Sequence, residues 1–238
     1  MVRRLNLPVK SKLLDLGCGP GHLAYELARD GFDVYAIDGS HEMIEIAKHD
    51  SGKQDVNSIR FNIGNIEALD YHDSTFDVVV GIGILEYLTT DKVVLKEVNR
   101  VLKSGGFFIT NVTNKYAYTN IFDSIYRTLK SRTGVRRLIN HLKPIISGSN
   151  TAVIAMNFAP RKHNPSEFQS HLKSFGFHIK EDRYMGFSVL PSPLDTLALK
   201  LTSHIDEKLE KLDKTFLRVF GACYIVCAKS IVIERSQA

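Results

Sequence analysis

Apolar residues in this chain fall into short runs, separated by stretches whose apolar positions recur every three or four residues. Lys12-Leu13-Leu14-Asp15-Leu16, Asp33-Val34-Tyr35-Ala36-Ile37 and Phe76-Asp77-Val78-Val79-Val80-Gly81 have the length and near-continuous apolar character of strands buried in a parallel sheet. Strands are expected near 12–16, 33–37, 58–62, 76–81 and 106–113. The helical spacing between them predicts helices from Gly21 to Arg29, from Ser40 to about His49 and from Asp91 to Leu102. Met43, Ile44 and Ala47 form the inward face of the second, and Val94, Leu95, Val98 and Leu102 that of the third. Ser104-Gly105-Gly106 supplies a left-handed residue to end that helix. Strand and helix alternate, which gives a doubly wound α/β pattern rather than separate sheet and helical domains.

The second half departs from this rhythm. Residues 116–147 read as two helices, with Ile121, Phe122, Ile125, Tyr126 and Leu129 on one face and Leu138, Ile139, Leu142 and Ile145 on another. A helix near 166–175 then leads through Gly176 to a strand near 178–184. Pro191 and Pro193 bracket the start of a helix running toward Leu212, and a last strand is expected near 221–228. In it, Tyr224, Val226 and Ala228 alternate with Cys223, Ile225 and Cys227.

Composition and charge sharpen the contrast between the halves. At 238 residues and 44% hydrophobic content the chain is long enough for one sizeable core. No run approaches the ~18 apolar residues of a membrane span, and Met1-Val2-Arg3-Arg4-Leu5 lacks the apolar stretch of a secretory signal. Cys18, Cys223 and Cys227 show neither metal nor disulfide spacing, so a reducing, cytoplasmic setting is expected. Residues 1–114 carry 12 Lys+Arg against 16 Asp+Glu, which leaves a net of +9 to residues 115–238. No acid lies between Asp123 and Glu167, while Arg127, Lys130, Arg132, Arg136, Arg137, Lys143, Arg161 and Lys162 do. Such a block suits an anionic acceptor, a phosphate polymer or an anionic lipid surface, and equally a solvated basic face.

The chemistry concentrates at Asp15-Leu16-Gly17-Cys18-Gly19-Pro20-Gly21. An apolar strand that stops at three alternating glycines turns tightly into a helix, whose free N–H groups make a ligand cradle. Asp38, at the tip of the next strand, suits the two hydroxyls of a ribose. The pair describes a pocket for a nucleoside-containing cofactor. A dinucleotide fingerprint needs Gly-x-Gly-x-x-Gly, and here Gly21 comes one residue early.

The acidic-x-Gly-x-Gly-x-Gly pattern instead resembles the first motif of the class I S-adenosylmethionine-dependent methyltransferases, of the small-molecule, ubiquinone/methyltransferase-11-like type. The resemblance continues through Asp38-Gly39-Ser40-His41-Glu42-Met43, Asn62-Ile63-Gly64-Asn65-Ile66-Glu67-Ala68-Leu69, Phe76 to Leu88, and Glu97 to Gly106. It implies a Rossmann-like seven-stranded sheet, mostly parallel with the last strand antiparallel, and a helical insertion after strand five that covers the substrate. The chain then reads as one domain, cofactor-binding over about 1–114 and substrate-side over about 115–238. Because the sequence begins almost at strand one, cover is expected from 116–147 and 188–215, or the pocket is unusually open.

The implied cofactor is S-adenosylmethionine, with Asp15, Gly17, Cys18, Gly19, Gly21, Asp38, Gly39, Met43, Asn65, Ile66 and Gly81 around it. In this assignment the glycines let backbone approach the methionine part, and Asp15 takes the amino group or orders the turn. Asn65 stands where the family usually has an acid facing the adenine amino group, and an amide oxygen still accepts there. Met43 and Ile66 sandwich the ring, and Gly81 with Ile82 offers main chain near the reacting centre. Cys18 reads as a small apolar residue, not a reactive thiol. Tyr87 stands where relatives acting on small phenols or acids often place a histidine, as a catalytic or wall residue. His163 is the other catalytic candidate, for an anionic group or its proton, against a plain surface histidine.

Several motifs are missing: the Asp/Asn-Pro-Pro-aromatic base-holding signature, the cysteine arrangement for pyrimidine attack, a paired-glutamate loop and an acidic metal cluster. The expected activity is methyl transfer to O or N of a small or lipid-linked, anionic metabolite, with peripheral contact to an anionic membrane on its inner face and no metal. The alternatives are an RNA or ribosomal-component methyltransferase, supported by the basic run, and a non-catalytic cofactor-binding subunit.

Overall fold

The computed structural model describes residues 1–53, 59–117, 160–186, 213, 215, 218 and 221–231. A 3-10 turn over Val2–Leu5 precedes β1 (Lys12–Leu16), α1 (His22–Arg29), β2 (Asp33–Asp38), α2 (His41–Lys53), β3 (Ile59–Ile63) and β4 (Phe76–Gly81). A second 3-10 turn at Leu85–Tyr87 leads to α3 (Lys92–Val101) and β5 (Leu102–Thr113). Then come α4 (Pro165–Ser174), β6 (Phe177–Met185) and β7 (Cys223–Ser230). The helices expected over 116–147, beyond Ala117, and from Pro191 toward Leu212 lie outside the described residues.

The seven strands form one sheet in the order β3-β2-β1-β4-β5-β7-β6. The pairs β1–β2, β1–β4, β2–β3 and β4–β5 are all parallel. β7 runs the other way: the Asn114 amide, just past the end of β5, donates to the carbonyl of Ala222, just before β7. At its far end Ile231 donates to Gly176, the residue before β6, and Ala222 at its near end donates to Gly186, just past β6. β7 is therefore antiparallel to both neighbours. The chain order reverses between β1 and β4, and in open α/β sheets the crevice beyond the carboxyl ends of strands at such a switch is where ligands bind.

The central strands are apolar because both faces are covered. Leu13, Leu14 and Leu16 of β1, Val78 and Val79 of β4, and Phe108 of β5 are fully buried, each side chain contributing about 1.5–3 kcal/mol. Val94, Leu95, Val98 and Val101 make the buried stripe of α3, and Ile44 and Ala47 that of α2, with Met43 only half-buried. α3 stops at Val101 without a glycine cap. Leu102 turns extended (φ −74°, ψ 139°) to pair with Phe76 and bury its side chain. Gly105 (φ +75°) sits instead inside β5, at the irregularity where the β4–β5 register shifts between Phe76 and Val78.

The chain divides into two compact units. One holds Met1–Val112, Pro165–Asp182 and Ile225–Ala238, and the other holds Thr113–Asn164 and Arg183–Tyr224. No helix among the described residues is long and apolar enough to cross a membrane.

Candidate functional site

At the carboxyl end of β1, Asp15 is only 2% exposed, and its Oδ2 has no hydrogen-bond partner. Burial first, then the charge of Asp38, raises its carboxyl to about 7. A buried carboxylate without partners costs free energy that a cationic ligand group would offset. Directly after it the turn runs Gly17 to Gly21, where Gly19 is left-handed (φ +51°) and a side chain there would meet nothing within 4 Å. The side-chain direction at Gly19 is therefore open, while its amide is turned to Asp38.

The other two glycines answer to the protein itself. A Cβ on Gly17 would lie 2.4 Å from Cγ2 of Ile84, and one on Gly21 would press on the Phe61 and Tyr25 rings at 3.0–3.1 Å. Gly21 is the N-cap of α1, and His22, exposed, its first residue. The Cys18 amide donates to Ile37 at 3.0 Å, stitching the turn to β2. Its thiol is pushed up to about 12, by burial and then by Asp15 and Asp38, so it stays protonated and inert.

Asp38 closes the second wall. Its Oδ2 accepts from the Gly19 amide and its Oδ1 from the Ser40 amide, both at 2.8 Å. Each oxygen keeps acceptor capacity for another donor. Ser40 Oγ caps α2 by accepting from the Met43 amide at 3.3 Å, while Gly39 between them is exposed. The Asp38 carbonyl accepts from Gly64 at 3.0 Å, which draws the loop after β3 to the same edge.

In that loop Asn65 is exposed and Ile66 half-buried. The Asn65 side-chain oxygen accepts from the Glu67 amide at 2.9 Å, and its carbonyl from Ala68 at 3.1 Å. This side-chain-to-backbone turn is a second role for Asn65, one the sequence reading missed. At the end of β4 the Gly81 carbonyl accepts from Thr110 Oγ1, and just past it the Gly83 amide donates to Asn111 Oδ1, each at 2.7 Å. Ile84 fills the space left by two glycines, since a Cβ on Gly81 would sit 2.7 Å from its Cδ1. Ile84, Thr110 and Asn111 were not singled out beforehand; a threonine and an asparagine inside an otherwise apolar strand were the available signal. Tyr87 is 53% exposed on the 3-10 turn.

Asp15, the glycine turn, Asp38, Gly39, Asn65, Ile66, Gly81 and Tyr87 thus belong to one unit, and His163 belongs to the other. His163 exchanges backbone bonds with Thr113 and Lys115, both 2.8 Å, in a bridge beside Asn114. Its Nε2 lies 3.0 Å from Nη2 of Arg161. A guanidinium only donates, so Nε2 is the acceptor in this contact.

Open space beside Gly19, an oriented carboxylate at Asp38 and an unpartnered buried carboxyl at Asp15 fit a nucleoside cofactor that carries positive charge. A family model described as a methyltransferase domain matches residues 9–156. Over 122 residues the chain is 32% identical to a ubiquinone biosynthesis O-methyltransferase of Pelagibacter ubique, covering 51% of this chain and 50% of the relative. It is 30% identical over 193 residues to an uncharacterised protein of Methanocaldococcus jannaschii, covering 79% of this chain and 69% of that one. The first curated relatives are matched over only 43–50% of their own length. A crystal structure of a SAM-dependent methyltransferase from Methanosarcina mazei shares the fold, with a TM-score of 0.63 over 97% of each chain at 20% identity.

Proposed function

We infer that this chain, which belongs to the class I S-adenosylmethionine-dependent methyltransferases, transfers a methyl group to an oxygen or nitrogen of a small or lipid-linked, anionic metabolite. The observation that carries the reading is the Asp15–Gly19–Asp38 cradle: a buried carboxyl lacking a partner, a glycine whose side-chain direction is open, and a second carboxylate held by two amides. The bound cofactor supplies a methyl group already activated on a sulfonium. Asp15 receives the cofactor's ammonium, and Gly17 to Gly21 lie along its amino-acid part. Asp38 takes two ribose hydroxyls with its remaining lone pairs, and Met43, Asn65 and Ile66 enclose the base. Gly81 presents main chain near the reacting centre. With the methyl so activated, the residues work mainly by holding acceptor and methyl close and in line, an effect that reaches ~7–11 kcal/mol.

Two observations support the acceptor. The Pelagibacter relative is named for O-methylation in ubiquinone biosynthesis, and the basic stretch from Arg127 to Lys162 suits an anionic group or an anionic bilayer. Tyr87, 53% exposed, is assigned to orient the acceptor.

Isothermal titration with S-adenosylmethionine and its demethylated thioether tests the cofactor half; tighter binding of NAD would overturn it. The acceptor half is tested by thioether release against extract separated into polar, lipid and RNA pools. Release with the polar or lipid pool is expected. Release with RNA alone would favour the nucleic-acid reading, and release with no pool would make the chain a binding subunit.

A further inference from the structure

Residues 69–75 are fastened to α3 by two side chains one helical turn apart. The Leu69 amide donates to Glu97 Oε2 at 2.9 Å, and the Leu69 carbonyl accepts from Arg100 Nη2 at 2.8 Å. One ion pair thus holds both polar groups of a single peptide residue, four positions after Asn65. Arg100 Nη1 also donates to the Tyr71 carbonyl at 2.7 Å and to Asp73 Oδ1 at 2.9 Å. Its Nε and Nη2 grip the two Glu97 oxygens at 2.9 and 2.8 Å. Farther along, the Ser74 and Thr75 amides donate to the carbonyls of Arg100 and Val101 at 2.9 and 2.8 Å.

A flexible surface loop rarely engages so many donors of one side chain. Planar guanidinium with its fixed fork of N–H groups is suited to such a junction, and lysine is not. The guanidinium beside Glu97 holds its carboxyl below the usual range, consistent with a lasting pair. Leu69 itself is buried, so the bonds on either side of it are partly shielded from water. Upstream of Leu69, the short Asn65–Ala68 bridge carries this fixed position to Asn65 and Ile66.

We propose that Glu97 and Arg100 are positioning residues for recognition of the cofactor's base: they set where Asn65 presents its amide oxygen, and so set the preference for an exocyclic amino group over a carbonyl. This rests on the reading of 65–69 as the base-contacting loop. The consequence is a specificity device located on a helix that need not touch the ligand.

The test compares affinity for S-adenosylhomocysteine with that for S-inosylhomocysteine, in which a carbonyl replaces the amino group. In the unaltered protein the adenosine form is expected to bind at least tenfold tighter. Arg100→Ala and Glu97→Ala should bring that ratio close to one, and Arg100→Lys should fail to restore it. An equal loss for both ligands would mark the pair as merely structural and overturn the proposal, as would an unchanged ratio. Should Arg100→Ala fail to fold, Glu97→Gln keeps an acceptor for Leu69 while weakening the pair, and at least a threefold drop in the ratio is expected; no drop overturns the proposal. Asn65→Ala separates the two levels: if it leaves the ratio intact, the base-loop reading itself fails, whereas a collapse with Asn65→Ala but not with Arg100→Ala removes only the pair.

Discussion

Two loops meet at the candidate cofactor edge, and they are built on opposite principles. The turn after β1 is held by its own residues and by the strand beside it: left-handed glycines, the Cys18–Ile37 bond and the Gly19–Asp38 bond, none reaching beyond Asp38 except the packing of Ile84 and Phe61. The stretch after β3 is held by residues 28 to 31 positions away, on a helix that follows two further elements. A locally built turn announces itself in composition. A remotely held loop does not, because its shape depends on where another element comes to lie.

The largest expected effect is Gly17→Ala. It sets a side chain at φ +65°, about 1–2 kcal/mol of backbone strain, and drives a methyl to 2.4 Å from Ile84 Cγ2, with overpacking of about 1–3 kcal/mol. Urea unfolding should show a loss of about 2–5 kcal/mol. Adding Ile84→Ala to it should cost less than the two single changes together, by roughly 1 kcal/mol in a double-mutant cycle. Strict additivity would mean that the turn is not wedged against Ile84, and the local account would break there.

Asp38→Ala comes next, since the same carboxylate orients the turn and is assigned the ribose. Two charge-assisted bonds at about 1.5 kcal/mol each predict an affinity for S-adenosylmethionine lower by about 100-fold, measured by titration calorimetry. Unchanged affinity would remove Asp38 from the site and leave it only the Gly19 and Ser40 amides to hold.

A smaller effect separates the roles of the two acids. Asp15 titrates at about 7 in the free protein, above its unfolded value, through burial and then the Asp38 charge. Between about pH 4 and 7 the unfolded chain has lost a proton that the folded one keeps, so stability falls as pH rises through that window and levels beyond it. Cofactor binding runs the opposite way. A cationic group prefers the carboxylate, so affinity should rise about tenfold from pH 6 to 8, with protons released in calorimetry. Asp15→Asn should flatten both slopes, and a pH-independent affinity in the unaltered protein would separate Asp15 from the ligand.

These contrasts also explain what could be read from the sequence. The strand–helix alternation, the Asp15 to Gly21 turn and the Ser40 cap were legible because each is decided within a few residues by period, by φ or by one hydroxyl. Gly105 was misplaced as a helix end because Leu102 preferred burial against β4 to another helical turn, a tertiary preference that propensity does not carry. Ile84 was invisible as the partner of Gly17 and Gly81, since their proximity exists only once β1 and β4 are adjacent. Glu97 and Arg100 stand at ordinary i,i+3 helical spacing, and nothing in the helix hints that their outer atoms reach Leu69 and Tyr71.

The smallest effect sharpens the second half of the comparison. Asp73 is the second anion around Arg100, at 2.9 Å, but its side chain is 65% exposed against 24% for Arg100. An ion pair that open to water is worth ~0–1 kcal/mol, and Glu97 with the Leu69 and Tyr71 carbonyls still occupies the guanidinium without it. Asp73→Asn should therefore lower stability by less than about 0.5 kcal/mol and leave the preference for the adenosine ligand intact, in unfolding and calorimetric measurements respectively. A loss as large as that of Glu97→Ala would mean that net charge around Arg100 fixes the loop. The small loss expected here assigns the hold to directed bonds on Leu69, which is what lets a distant helix determine where Asn65 stands.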